Sequence, residues 1–505
     1  MMRRPAGRPA LPGPDDMSDA LRGLFASDPV SRHFDDAALL AAMARFEAAL
    51  AAAQADAGLV PRAAAARIEA VCTARFGPAA SVGGVVASAD ARADGSAHGA
   101  RPAGTAAPAD AADPFAPGAL AAAARHAGTL AIPFVQALTE AVGREDAQAA
   151  RWVHWGATSQ DVVDTALALA VAAAGAELQA QLARAGDALA RLADAQRATT
   201  ITGRTLLQPA TPVPFGWKLA CWLSPLVRSR AGLAGALEAV RVLQLGGASG
   251  IRAALGGRGD TVAEALAARL GLTAPEISWH GSRDRVARLG AELGLLTGAM
   301  ARIGRDVSLL MQGEVAEVFE PGGAGRGGSS AMPHKRNPVA SMLALQAGLR
   351  APGLVSTLLA QLPGEHERGL GTWQADWWTI GALFECAGSA TAAIGEALED
   401  LHVDADAMQA NLERTGGFVY AEAVTLALAG VLGRPAAQAQ MERLCRDAID
   451  RGEPLREAIA RARLASPVLA SALPEGTLDA LFDPRAQRGD ADAMIDRTLA
   501  GWRAP

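Results

Sequence analysis

The sequence predicts an all-α protein, and three observations carry that reading. Half of the residues are apolar, aromatics amount to 4% with a single Tyr, and apolar positions recur at helical spacing over very long stretches. Ala and Leu lead the helix scale, whereas strands favour β-branched and aromatic side chains. A chain of 505 residues exceeds one ordinary core, and about 150 residues per domain suggests roughly three. The expected architecture is a central bundle of long helices with smaller helical domains at the N- and C-terminal ends.

Taken in order, residues 1–16 are rich in Pro, Gly and Arg and read as a disordered extension. A helical domain over 17–125 follows. Between Asp35 and Ala57 the residues Leu39, Leu40, Met43, Phe46 and Leu50 recur at helical spacing; Asp35 and Asp36 suit the positive end of that helix, and Gly58 and Pro61 stop it. Over 77–117 the composition turns to Ala, Gly, Ser, Asp and Pro without a period, which predicts a mobile insertion.

The central bundle is expected over 126–398. Thr158 and Asp161 stand at capping-box spacing before an amphipathic run from Val162 to about Ala198. At 1.5 Å per residue that helix spans about 55 Å, the length of a bundle member. Further long helices are predicted over Phe215 to Leu245, Asp284 to Phe319, Pro338 to Leu362 and Asp376 to about Leu398, with Pro225 and Pro352 kinking rather than ending theirs. Residues 399–505 carry shorter helical patterns, expected to form a C-terminal cap domain.

Net charge is −6, and the chain has no basic run or stripe, which argues against a nucleic-acid partner. An anionic ligand therefore requires locally placed cations. Cys72, Cys221, Cys386 and Cys445 are scattered without C-x-x-C spacing, which suits neither a zinc site nor a disulfide framework and points to a reducing cytoplasm. No uncharged apolar run approaches the roughly 18 residues of a membrane span, and the Met1–Pro14 segment lacks the apolar stretch of a signal peptide. Neither H-E-x-x-H nor a dense acidic cluster occurs, so no metal is expected, and no cofactor motif stands out.

The densest chemistry lies in Gly327-Gly328-Ser329-Ser330-Ala331-Met332-Pro333-His334-Lys335-Arg336-Asn337-Pro338, where a Gly-rich run beginning at Gly322 meets a Pro-initiated helix. Hydroxyls, an imidazole, an ammonium, a guanidinium and an amide crowd beside glycines that let the segment swing, which reads as a catalytic lid. A second stretch, His154-Trp155-Gly156-Ala157-Thr158-Ser159-Gln160-Asp161, offers a helix N-terminus with free N–H groups and hydroxyls to an anion. A third is Gly203-Arg204-Thr205-Leu206-Leu207-Gln208-Pro209, and a fourth starts at Glu365-His366-Glu367-Arg368 and continues into Trp373, Trp377 and Trp378. Gly246 to Gly250 lacks G-x-G-x-x-G spacing and reads as a turn at a bundle end. Arg252, Arg283 and Arg285 are candidate carboxylate clamps.

The lid wording resembles the signature loop of the fumarase/aspartase superfamily, whose members add or eliminate a group next to a carboxylate. The resemblance implies Ser329 as the acid/base, Lys335 and Asn337 as carboxylate holders, and His154 among the catalytic groups. It places Thr158, Ser159, Gln208, Ser330, Met332, Arg283, Trp155, His366 and Arg368 around the substrate. Relatives that cleave succinyl compounds carry a histidine directly after Arg-Thr. Here Leu206 stands there, and leucine cannot transfer a proton. The pattern is similar to cofactor-free members that close a carboxylated diene into a lactone during aromatic-compound degradation, so the implied partner is a small anionic tricarboxylate. Another superfamily lyase, such as one acting on adenylosuccinate, and a catalytically inactive structural homologue are the alternatives. A homotetramer with active sites shared between copies is also implied.

Overall fold

The computed structural model describes residues 29–77, 113–323, 326–328, 331–332 and 334–504. The expected N-terminal extension, most of the insertion, and Ser329, Ser330 and Pro333 of the lid lie outside the described residues.

Helix α1 (Asp36–Asp56) starts where the sequence places it, with the Asp35 carboxylate accepting the Ala38 N–H at 2.7 Å. It packs on α2 (Arg62–Phe76), and α3 (Pro117–Ala127) and α4 (Ala131–Glu145) complete this layer. The insertion was expected to run structureless to Pro117, but the chain is placed from Asp113 onward. Phe115 is buried and stacks edge-on against Phe76 and Phe134 with ring centroids 5.2 and 5.9 Å away, an aromatic anchor inside an Ala/Pro-rich run.

Helix α5 (Ser159–Ala195) extends for 37 residues behind a capping box, in which the Thr158 N–H meets Asp161 Oδ2 at 3.0 Å. The segment between the two predicted helices is not a plain loop: β1 (Thr200–Thr205) and β2 (Gln208–Pro214) form an antiparallel hairpin. Its cause is in the residues. Pro209, Pro212 and Pro214 cannot occupy a helix interior, and Thr200, Ile201, Thr202 and Val213 suit a pleated surface. Gly203 is required by contact, since a Cβ there would lie 2.4 Å from the Thr211 carbonyl oxygen. The turn residues Leu206 and Leu207 both have positive φ, +50° and +65°, as a tight primed turn demands.

Then come α6 (Phe215–Val240), α7 (Gly259–Leu270), α8 (Asp284–Leu310), the short β3 (Val318–Phe319), α9 (Val339–Ala360) and α10 (Thr372–Glu399). Two helices end earlier than their apolar patterns. α6 stops at Val240 because Leu243 and Leu245 turn into the N-terminal core, the Leu243 N–H bonding to Thr273 O at 2.9 Å. α8 stops at Leu310, and the chain folds back so that the Glu317 N–H reaches the Leu310 carbonyl at 3.0 Å. β3 pairs with β4 (His402–Val403). The small helices α11 (Ala405–Glu413), α12 (Ala421–Leu432), α13 (Arg434–Arg451), α14 (Leu455–Ala465), α15 (Pro467–Ala472) and α16 (Glu475–Leu481) precede the terminal α17 (Ala491–Arg503).

Helices α5, α6, α8, α9 and α10 share one core, where Leu182, Leu223, Leu293 and Phe384 are fully buried, each worth about 1.5–3 kcal/mol of burial. A second core joins α1, α2, α4, the start of α5 and residues 243–272, and a third lies among α12 to α16. α17 returns to the bundle: its Trp502 ring fills the space over Gly186, and its indole N–H donates to Asp187 Oδ1 at 2.8 Å. Among the described residues, α9 is the single unbroken helix long and apolar enough to cross a membrane. It serves as a bundle member, burying Ala344, Ala347, Ala351 and Leu358 against α8 and α10, while Leu349 on its outer side is 84% exposed.

Candidate active site

The functional stretches gather at the two opposite ends of the bundle. At one end α5, α8 and α10 begin. There Asp161, fully buried, takes four donors: the Thr158 and Gly247 N–H groups on Oδ2, and the Gly246 N–H and the His280 ring nitrogen Nε2, 2.7 Å away, on Oδ1. The carboxylate thereby pins the 246–250 turn against the first turn of α5. Arg368 locks the same turn from outside. Its guanidinium donates to Thr158 Oγ1 at 3.1 Å and to the Gly247 and Ala248 carbonyls at 3.2 Å. Ser159 opens α5 and is half-buried beside these groups, and exposed His366 sits just before Arg368 with φ +52°.

His154 precedes this helix with φ +59°, a left-handed conformation that a non-glycine residue keeps only under outside constraint. The constraint comes from α1. The His154 Nδ1–H donates to Glu47 Oε1 at 2.6 Å, and Gln54, two turns further along α1, donates to the Trp155 carbonyl at 2.6 Å. Trp155 is partly exposed and packs at a tilt against Trp152, ring centroids 5.1 Å apart. Burial works against a charge on His154, but the Glu47 carboxylate, with Asp161 behind it, outweighs it and raises the imidazole above its ordinary value. The pair's contribution to stability is therefore full below the ordinary imidazole range and fades as pH rises through the raised value.

Arg283 is not free to clamp a substrate. It is 2% exposed and sandwiched between two buried carboxylates, bonding to Asp164 at 2.8 and 3.0 Å and to Asp376 at 2.8 Å, with its face over the Trp279 ring. Burial works against the guanidinium charge, but here the two carboxylates outweigh it and hold Arg283 above its usual value. Arg252 is likewise engaged, with Asp260 at 2.8 Å. Both side chains cross-link elements of this end of the fold.

At the other end lie the hairpin and the lid. Arg204 forms a bidentate pair with fully buried Glu317, both bonds 2.8 Å, and Asn411 adds a third donor at 2.9 Å. Beyond this anchor the tip projects: Leu206 is 96% exposed, with Gln208 exposed next to it. In the lid, the Asn337 amide donates to the Gly328 carbonyl at 3.4 Å, and the helix that follows is capped by Glu320, which accepts the Ala340 and Ser341 N–H groups at 2.9 and 2.8 Å. Glu320 can do so because β3 brings it under the first turn of α9. Lys335 and Met332 are exposed. Since α8 has 27 residues, roughly 40 Å separates this end from Thr158 and Arg368.

Residues 118–353 match the lyase family model, and residues 417–498 match that of the adenylosuccinate lyase C-terminus. The chain is 45% identical, over 95% of each chain, to a 3-carboxy-cis,cis-muconate cycloisomerase of Pseudomonas aeruginosa. The chain belongs to the fumarase/aspartase superfamily of lyases. A nitrosuccinate lyase of Streptomyces davaonensis is 38% identical over 96% of this chain and 95% of its own. The crystal structure of the 3-carboxy-cis,cis-muconate lactonizing enzyme from Pseudomonas putida superposes with a TM-score of 0.82 at 40% identity, covering 96% of this chain and 99% of that one.

Within this family setting, sequence reasoning overlooked the groups that hold the first end together: Glu47, Gln54, Asp164, Gln244, His280 and Asp376. One signal was available. Met43, Glu47, Leu50 and Gln54 fall on a single helical stripe, so two polar residues interrupt an apolar face, and a buried polar group needs a partner. Nothing in the linear sequence names those partners, which lie about a hundred positions away in His154 and Trp155. Among the described residues no cluster of His, Cys, Asp and Glu forms a metal site.

Proposed function

We propose that this chain is a cycloisomerase converting 3-carboxy-cis,cis-muconate to 4-carboxymuconolactone. The observation that carries this is the likeness, over nearly the full length of both chains, to proteins of that name. In the reaction one substrate carboxylate oxygen forms a C–O bond to an alkene carbon. The π pair moves to the carbon beside another carboxylate, and that carbon takes a proton. Counted as acids, product and substrate are isomers: the proton delivered to carbon replaces the one the attacking carboxylate had released to solvent, so no co-substrate enters the balance. We assign the proton to Ser329, with Lys335 lowering the energy of its alkoxide and, with Asn337, holding a carboxylate. The α5 N-terminus with Thr158, Ser159, His154 and Arg368 supplies the second cationic wall, and we assign Trp155, Gln208, Ser330, Met332 and His366 to substrate binding.

The separation of the two bundle ends supports a site completed between copies, since one chain cannot bring Thr158 to Lys335. A homotetramer assembled through the bundle would also cover the exposed outer side of α9 and the Leu206-Leu207 tip. The nucleophile belongs to the substrate, so water need not be activated. Leu206 at the tip suits this, because an apolar group there excludes competing water. A succinyl-cleaving lyase, by contrast, needs an ionisable group at that position.

The test is loss of conjugated-diene absorbance with 3-carboxy-cis,cis-muconate, run beside Ser329→Ala. Rapid loss with the wild type and at least a hundredfold less with the variant is expected for removal of the proton donor. Equal rates would remove Ser329 from the mechanism. No turnover by the wild type would overturn the substrate assignment and make adenylosuccinate and nitrosuccinate the next compounds.

A further inference from the structure

Glu47 has no place in the chemistry above, yet it is one of the most deeply buried carboxylates described, 1% exposed on α1. Its Oε1 accepts the His154 Nδ1–H at 2.6 Å, while Oε2 is enclosed without a hydrogen-bond partner. A carboxylate in that state is costly unless its one partner carries a full positive charge. His154 is the group available to do so. The other ring nitrogen, Nε2, makes no hydrogen bond to the described residues, and the side chain retains 18% exposure, so one edge of the ring is tied and the other is open. Gln54 fixes the neighbouring carbonyl from the same helix face, which leaves the ring little freedom to turn.

We propose that Glu47 is a positioning residue: it grips the Nδ1 edge of His154 so that Nε2–H is presented to an anionic substrate as a charged donor at the mouth of α5. This rests on the reading of His154 as part of the site. The groups facing the ring are Glu47 from α1 and Asp161 from the first turn of α5, both negative. Asp161 is already saturated by the 246–250 turn, Thr158 and His280, which leaves Glu47 as the carboxylate in direct contact. The Glu47 charge also reaches Cys72 on α2, whose thiol is pushed up to about 12, by burial first and then by Glu47 and Glu69.

Two readouts test this on the full-length protein. The first is the pH midpoint of His154 modification by diethyl pyrocarbonate, followed by peptide mass spectrometry; the reagent attacks only the neutral ring. The second is the pH profile of kcat/KM with 3-carboxy-cis,cis-muconate. In Glu47→Gln the midpoint is expected to fall by about one pH unit or more, and the alkaline limb of kcat/KM should move down with it, so that the loss is about tenfold near pH 8 and smaller near pH 6. Glu47→Asp should recover part of both. An unchanged midpoint in Glu47→Gln overturns the proposal. So does a shifted midpoint with an unshifted activity limb, which would leave Glu47 a merely structural partner. If Glu47→Gln fails to fold, His154→Gln on the intact Glu47 background provides the activity arm, and retention of wild-type kcat/KM overturns the proposal. A wild type inactive on this substrate would defeat the functional reading, whereas the midpoint would still decide whether Glu47 charges His154.

Discussion

Replacing Arg283 with methionine is expected to lower stability by about 3–5 kcal/mol, because it strands the buried carboxylates of Asp164 and Asp376 without their cation. Both are fully buried, and Arg283 is the cation that bonds to each. Gln160 and Gln244 also donate to Asp164, and Gln361 to Asp376, but neutral amides do not offset two charges. Calorimetry should show Tm falling by about 3–5 °C. Arg283→Lys should fall between, since an ammonium lacks the planar fork that spans both partners. A normal Tm with an altered KM would instead return Arg283 to the substrate. The size of the effect follows from location: the triad ties the starts of α5, α8 and α10 together, so its loss loosens the end of the bundle that presents Thr158 and Arg368.

Lys335→Ala should show the opposite pattern. Lys335 is exposed, so stability should stay within about 0.5 kcal/mol of wild type, while kcat/KM for the tricarboxylate falls about 10²- to 10³-fold through loss of a charge stabilising the developing enolate. Thr158→Val should also be impaired, at the other end of the bundle. With roughly 40 Å between these positions in one chain, co-assembly of the two variants is informative. By random assortment about a quarter of the sites regain both residues from different copies, and activity should recover toward that level. A mixture no more active than its components would rule out a site built from Thr158 of one copy and Lys335 of another.

Much of this molecule is legible in the linear chain because its signals are local. The long helices follow from 3.6-residue periodicity, the start of α5 from Thr158 and Asp161 three residues apart, and the superfamily from the lid wording. Local patterns misled where a long-range contact won. The apolar run after Asp284 does not continue to Phe319, because the chain turns back to place Glu317 under Arg204 and Glu320 under α9. The hairpin was missed because a bundle was expected throughout, although its prolines and threonines announced a strand pair.

Residue types by themselves determined that this chain is helical, that it carries a cationic, hydroxyl-bearing loop beside flexible glycines, and that Leu206 cannot move a proton. Only the tertiary structure decided which charges are available. Arg283 and Arg368 look equivalent in sequence. One is enclosed by two carboxylates and spent on the fold, whereas the other stays at the surface on carbonyls and a threonine hydroxyl. Glu47 reads as one more helix residue until folding buries it against His154. The reason is physical: the energy of a charge depends on its solvent and its partners, and both are properties of the folded neighbourhood rather than of the residue.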